Sequence, residues 1–180
     1  HWTALHARPI VMGLERVAAV ASRMGLGRPA PVCITVGGTN GKGSTVAFLD
    51  AILRAAGYTA GCYTSPHLLA YNERVRVDGI AVDDAELIAA FARIEAARDG
   101  VPLTYFEAGT LAALAVFEAR AVDVALGIAD EVAGRELPRH HVAPQRAIAV
   151  RDLELADQLR ELRAVRADGP PHPAVRAQPD

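Results

Sequence analysis

The stretch that most limits how this chain can fold is "ITVGGTNGKGSTVAFLDAIL", residues 34 to 53. Four glycines, Gly37, Gly38, Gly41 and Gly43, fall in it. They separate an apolar, β-branched run (32–36) from a helical pattern in which Val46, Leu49, Ile52 and Leu53 are apolar. A loop that brings several backbone N–H groups to one anion cannot carry side chains, which block the approach and bar positive φ. The helix that follows adds its N-terminal dipole and its unbonded N–H groups. Lys42 supplies a mobile positive charge for the terminal phosphates, and Ser44 or Thr45 a hydroxyl for Mg²⁺. The order strand, bare loop, lysine, hydroxyl, helix is what the phosphates of ATP require. It departs from the common G-x-x-x-x-G-K-[ST] form: Val36 stands at the first glycine position, and Gly43 separates Lys42 from Ser44.

The flanking segments predict an α/β protein. Leu14, Val17, Ala18, Ala21 and Met24 share one helical face, and Gly25, Gly27, Pro29 and Pro31 end that helix. A helix over 44–56 stops at Gly57, and a short strand follows at 59–63. In "NERVRVDG" the alternation predicts a strand with Val75 and Val77 on one side and Arg74 and Arg76 on the other. Asp83 and Glu86 announce a helix over 84–98. Another helix is expected over 106–120, then a buried strand, "VDVAL", at 122–126. Strands alternating with helices imply a mostly parallel sheet with helices on both faces, the runs 32–36 and 122–126 central because they are apolar throughout. "AIAV" and "RDLELADQLREL" suggest one more strand and helix, and 168–180, with four prolines, reads as disordered.

Composition narrows the function classes. The net charge of −2 gives no electrostatic reason to expect nucleic acid or an anionic membrane as partner. No apolar run approaches the roughly 18 residues of a membrane span. The opening "HWTALHARPI" lacks the order of a signal peptide, and without a Met at its head a start upstream is expected. Cys33 and Cys62 sit singly in apolar strand-like runs and read as buried thiols of a reducing cytosol. His140 and His141, being adjacent, point apart and make a poor metal pair.

Gly38 to Ser44 matches, position by position, the G-T-N-G-K-[GT]-[ST] loop of the Mur ligase superfamily. "MGLERV" (12–17), "YTSPHL" (63–68), "NERVRV" (72–77) and "LTYFEAGTLAAL" (103–114) narrow the likeness. Together, in this order and spacing, they resemble the bacterial dihydrofolate synthase/folylpolyglutamate synthase family over about residues 5–126. The resemblance implies an ATP-binding, Mur-ligase-like domain over 1–127, with 128–180 an unassigned tail. It implies that Thr39, Asn40, Gly41, Lys42, Gly43 and Ser44 bind ATP, with Lys42 catalytic, and that Ser44 and Ser65 ligate Mg²⁺. Val11, Met12, Gly13 and Leu14, with Thr104, Tyr105, Phe106 and Glu107, are implied to contact dihydropteroate. The implied reaction is that of a cytoplasmic, monomeric ligase: ATP turns the carboxylate of dihydropteroate or folate into an acyl phosphate, and L-glutamate displaces phosphate to form an amide.

Three departures qualify it. Val11 stands where members usually carry an aspartate, "VDVAL" runs into "GIADEVAGRELP" rather than the family's Glu-Val-Gly-Leu-Gly-Gly-Arg-like segment, and no downstream histidine ligand or glutamate-binding domain is found. A chain of this length is therefore expected to bind ATP without completing amide formation. The alternative reading is a non-catalytic nucleotide- or pterin-binding fragment of such a ligase. An unrelated phosphate-loop phosphotransferase would need an aspartate ending a strand, and Asp123 lies near the start of one.

Overall fold

The computed structural model describes residues 14–38, 40–128 and 149–151. Its six strands are β1 (Val32–Gly37), β2 (Ala60–Tyr63), β3 (Val75–Val77), β4 (Ile80–Ala81), β5 (Val124–Ile128) and β6 (Ala149–Arg151). They form one sheet in the order β4-β3-β2-β5-β1-β6. The three middle strands are parallel: Ile34 of β1 and Cys62 of β2 both lie level with Leu126 of β5. The outer pairs are antiparallel, β6 against β1 and β3 against β2. The sheet is thus a parallel centre with antiparallel margins. The strand expected in "AIAV" is present as β6; the helix expected after it, the segment 168–180, His140 and His141 lie outside the described residues.

Alternation along the middle strands assigns the two faces. Val32, Ile34 and Val36, with Ala60, Cys62, Val124 and Leu126, pack against Val46 and Leu53 of α2 (Lys42–Ala55). Tyr63, Val75 and Ala125 pack on the other face with α3 (Asp84–Arg98) and α4 (Tyr105–Ala119). The α1 helix (Glu15–Arg23) lies outside them, through Val17, Val20, Ala21 and Met24. Helices on both faces explain middle strands that present apolar residues to both sides. They also explain why α4 is buried nearly all round, from Ala108 and Leu111 to Val116 and Phe117: it has sheet beneath it and two helices above.

Two helical stripes differ from the expected ones. On α1 Leu14 and Ala18 are exposed, and Val20 is the fully buried residue. On α2 Ile52 faces solvent at 62% and Phe48 at 70%, while the inward line is Val46, Asp50 and Leu53. The expected strand through Arg74 is also shorter. Tyr71–Arg74 is a 3₁₀ turn, and Arg74 is buried instead of lying on the open side of a strand. Asp78 and Gly79 turn the chain from β3 into β4 with φ of 54° and 80°, the two-residue turn whose twist suits a hairpin.

Candidate functional site

The chain leaves β1 at Gly37 and enters α2 at Lys42. Gly41 caps the helix at φ 78°, ψ 0°, a left-handed conformation that a side chain disfavours. A Cβ on Gly41 or on Gly43 would meet nothing within 4 Å, so the loop face at both is open. The first intrahelical bond runs from the Thr45 N–H to the Gly41 carbonyl at 2.9 Å. The amides of Gly43 and Ser44 precede it and are among the donors a helix start presents. No acidic residue stands in the first turn to compete for them. Lys42 folds back over the loop and its Nζ donates to the Gly38 carbonyl at 2.6 Å. The Thr45 hydroxyl donates to the Gly41 carbonyl at 3.0 Å, leaving the exposed Ser44 as the outward hydroxyl of that turn. Asn40, Gly41, Lys42, Gly43 and Ser44 therefore make up one open helix entrance, with Lys42 as its positive charge. Thr39 lies outside the described residues.

Because β1, β2 and β5 are parallel, their carboxyl ends share one edge, where open α/β sheets bind ligands. The glycine loop follows β1 there, and Ser65 lies two residues past the end of β2. Asp123 sits at the opposite edge, where its Oδ2 accepts from the Thr59 N–H at 2.8 Å. It ties strand starts together and is remote from the loop. Among the described residues no group of three His, Cys, Asp or Glu side chains could hold a metal. Ser44 and Ser65 offer neutral oxygens. That donor set suits a magnesium ion bound mainly through nucleotide phosphates and water, and not one caged by the protein.

The third part of the edge is the start of α4. Thr104 caps it: its hydroxyl accepts from the Glu107 N–H at 3.2 Å, and Glu107 Oε2 accepts from the Thr104 N–H at 2.7 Å. The other carboxylate oxygen of Glu107 accepts from Arg16 Nη2 at 2.7 Å. This bond brings the beginning of α1, with Leu14, to Thr104–Glu107, so the two segments expected to contact dihydropteroate lie together. Val11, Met12 and Gly13 lie outside the described residues. Glu107 thus holds structure with both oxygens. Tyr105 stands edge-on to Tyr71 at 5.6 Å and to Phe106 at 6.2 Å.

Residue patterning overlooked three groups. Arg74, read as an outward strand residue, lies under this aromatic wall. His67, read as a loop histidine, accepts at Nδ1 from Arg74 Nε at 2.8 Å. Asp50, inside the apolar stripe of α2, is buried beside Arg54, whose Nε donates to Oδ2 at 3.0 Å. An aspartate at a core-facing helical position was the available signal for the last. "NERV" itself proves to be a set of anchors. Asn72 Nδ2 donates to the Val82 carbonyl at 2.7 Å and to Asp84 Oδ1 at 2.9 Å. Glu73 accepts from the amides of Leu68, Leu69 and Ala70, and these bonds hold its carboxyl below the usual range. Val75 is fully buried.

A glycine-lined helix entrance at the carboxyl edge of a parallel sheet, with an aromatic wall beside it, defines a phosphate-loop α/β domain of the Mur-ligase type. Comparison with known proteins places it more narrowly. No protein-family model matches the chain. It is 52% identical over 122 residues to the dihydrofolate synthase/folylpolyglutamate synthase of Escherichia coli, a match over 68% of this chain and 29% of that protein. It is 39% identical over 159 residues to the protein of the same name from Haemophilus influenzae, over 87% of this chain and 36% of that one. Among solved structures, E. coli FolC in complex with DHPP and ADP superposes with a TM-score of 0.66 at 52% identity, over 69% of this chain and 30% of that chain. The Yersinia pestis enzyme complexed with AMPPNP and Mn ion gives a TM-score of 0.67 at 52% identity, over 71% of this chain and 31% of that chain. The chain belongs to the dihydrofolate synthase/folylpolyglutamate synthase family and carries its N-terminal part. It spans about a third of the length of these relatives.

Proposed function

We propose that this region is the ATP-binding part of a ligase that joins L-glutamate to dihydropteroate or folate. The observation that carries the reading is the helix entrance at Gly41–Ser44, with Lys42 folded across it and Ser65 and the Tyr105–Phe106 wall beyond the same sheet edge. Two anions must meet in such a reaction, a substrate carboxylate and the phosphate tail of ATP. The work of the site is therefore to neutralise charge and to align. The N–H groups of Gly43 and Ser44 hold phosphate oxygens, and Lys42 leaves the Gly38 carbonyl to follow the terminal phosphate. The hydroxyls of Ser44 and Ser65 would serve as ligands to Mg²⁺, which when bound offsets further phosphate charge. Leu14, Tyr105 and Phe106 give the pterin-linked substrate its apolar wall. The L-glutamate amine then displaces phosphate from the acyl phosphate. A cytoplasmic, monomeric protein without nucleic-acid or membrane partners goes with this reading. Support for the cofactors comes from the relatives solved with ADP, AMPPNP and Mn.

The test of the nucleotide site is ATP affinity in Lys42→Ala. Most of the affinity should go while the circular dichroism spectrum and melting temperature stay those of the parent. Unchanged affinity would refute the assignment. A second reading is a nucleotide- or pterin-binding fragment of such a ligase without catalysis. The 180-residue chain, given dihydropteroate, ATP, Mg²⁺ and L-glutamate, separates the two. We expect binding without product. Turnover of about 1 per second or faster, the range of ordinary enzymes, establishes the complete ligase reading instead.

A further inference from the structure

Arg74 is a buried cation whose charge the described residues leave uncompensated. It is 7% exposed. Its guanidinium carbon lies 5.6 Å from the ring centre of Tyr71, 5.5 Å from that of Tyr105 and 5.5 Å from that of Phe106. Nε is satisfied by His67, but Nη1 is enclosed and has no hydrogen-bond partner among the described residues. The two nearby carboxylates are engaged elsewhere, Glu73 with three backbone amides and Glu107 with Arg16 and the Thr104 N–H. Nor does His67 bring charge of the needed sign. An imidazole is neutral or cationic and never anionic. Ring faces offset a buried guanidinium only in part, and an ion desolvated without a counter-ion is costly. The Tyr71 hydroxyl, also enclosed, has no hydrogen-bond partner among the described residues either.

Resting on the reading above, we propose that Arg74 recognises the carboxylate of the aromatic acid substrate, with Nη1 as the donor that selects an acid over a neutral analogue. The chemistry on both sides agrees. A net positive charge walled by three aromatic rings suits an aryl carboxylate, whose ring stacks while its oxygens take the guanidinium N–H groups. Tyr105 and Phe106 are half-buried, so theirs is the side from which it would enter. Held there, the carboxylate is one of the two anions the reaction must bring together, and Arg74 lowers their mutual repulsion before Lys42 acts on the other.

The experiment measures binding of dihydropteroate and of its methyl ester to the full chain by pterin fluorescence, in the parent, Arg74→Lys and Arg74→Met. The parent should bind the acid about 10- to 100-fold more tightly than the ester, the range expected for hydrogen bonds to a charged group. Arg74→Met should bring the acid down to the affinity of the ester with the ester little changed, and Arg74→Lys should keep part of the preference. Equal affinities for acid and ester in the parent overturn the proposal with no variant needed. A loss in Arg74→Met that falls equally on acid and ester overturns it too, and marks Arg74 as a support of the wall. A parent that binds neither compound removes the pteroate reading of the site and this inference together. Parent-like ATP affinity in both variants shows that the fold is kept.

Discussion

At the residue scale, two small positions and a thiol show how closely the interior is fitted. A Cβ on Gly109 would lie 2.5 Å from the Tyr71 hydroxyl oxygen and 2.7 Å from that of Tyr63. A Cβ on Gly61 would lie 2.6 Å from the Phe117 ring. Gly61→Ala meets an aromatic ring wedged among helices and should cost roughly 1–3 kcal/mol, as overpacked cores do. Gly109→Ala should add to such a cost a displacement of Tyr71, and with it of Arg74, read as weaker dihydropteroate binding. Urea midpoints and the fluorescence assay check both; a parent-like midpoint in Gly61→Ala would mean that Phe117 moves freely. Cys62 illustrates what a sequence can convey. Its apolar neighbours marked it as a buried thiol, and it is one. They did not reveal Asp50, carried in from another element. Burial first, and then the Asp50 charge, push the thiol up to about 12. The thiolate is the nucleophile, so iodoacetamide at neutral pH should leave Cys62 unmodified in the folded chain. Rapid native labelling of Cys62 would contradict that placement.

At the element scale, helices with side-chain caps were legible and the turn was not. Asp83 and Glu86 give α3 its start, with the Asp83 carboxylate accepting from the Glu86 N–H at 2.8 Å. Thr104 and Glu107 form the same kind of cap on α4, which begins at Tyr105, ahead of the apolar pattern that suggested 106. The segment 67–74 misled because Val75 and Val77 alternate with Arg74 and Arg76, and a period of two cannot show where a strand gives way to a 3₁₀ turn. What shapes this segment is one carboxylate. Glu73 binds three consecutive amides and holds out Leu68 and Leu69, exposed at 88% and 94%. Its folded pKa is lowered from the ordinary 4.5, chiefly by the Leu68 amide and then by those of Ala70 and Leu69. A depressed carboxyl stabilises the fold at pH above the ordinary value and loses that contribution as pH falls through the depressed one. The Leu68 and Leu69 amide resonances should therefore titrate together at an apparent pKa below 4.5, and should lose the transition in Glu73→Gln. Titration at the ordinary value would mean that the clamp is not formed in solution.

At the scale of the whole molecule, the parallel centre of the sheet was readable and its antiparallel margins were not. Largely apolar runs at β1 and β5 announced strands covered on both faces, and the structure gives each a helix layer on either side. The direction in which β3 and β6 join depends on contacts far apart in sequence, which local periodicity does not carry. The same arrangement sets where the fold resists opening. β5 lies between β2 and β1 and is bonded on both edges, and its Val124 and Leu126 are fully enclosed under α2. Breaking those bonds requires the sheet to part at its middle, which exposes both cores at once, so the β5 amides should exchange only through global unfolding. β1 has β6 on its other edge, and its Val32–Val36 amides should follow closely. β4 is a two-residue margin with Ile80 75% exposed, paired among the described strands with β3 alone, and it can fray without disturbing either core. Hydrogen exchange read residue by residue should rank the amides of Val124–Leu126 among the slowest and those of Ile80 and Ala81 far faster. Adding urea should accelerate the β5 amides steeply and the β4 amides little, because only the first opening exposes large buried surface. If β5 exchanges at the rate of β4, or shows the same shallow urea dependence, the parallel centre is not what holds this fold together.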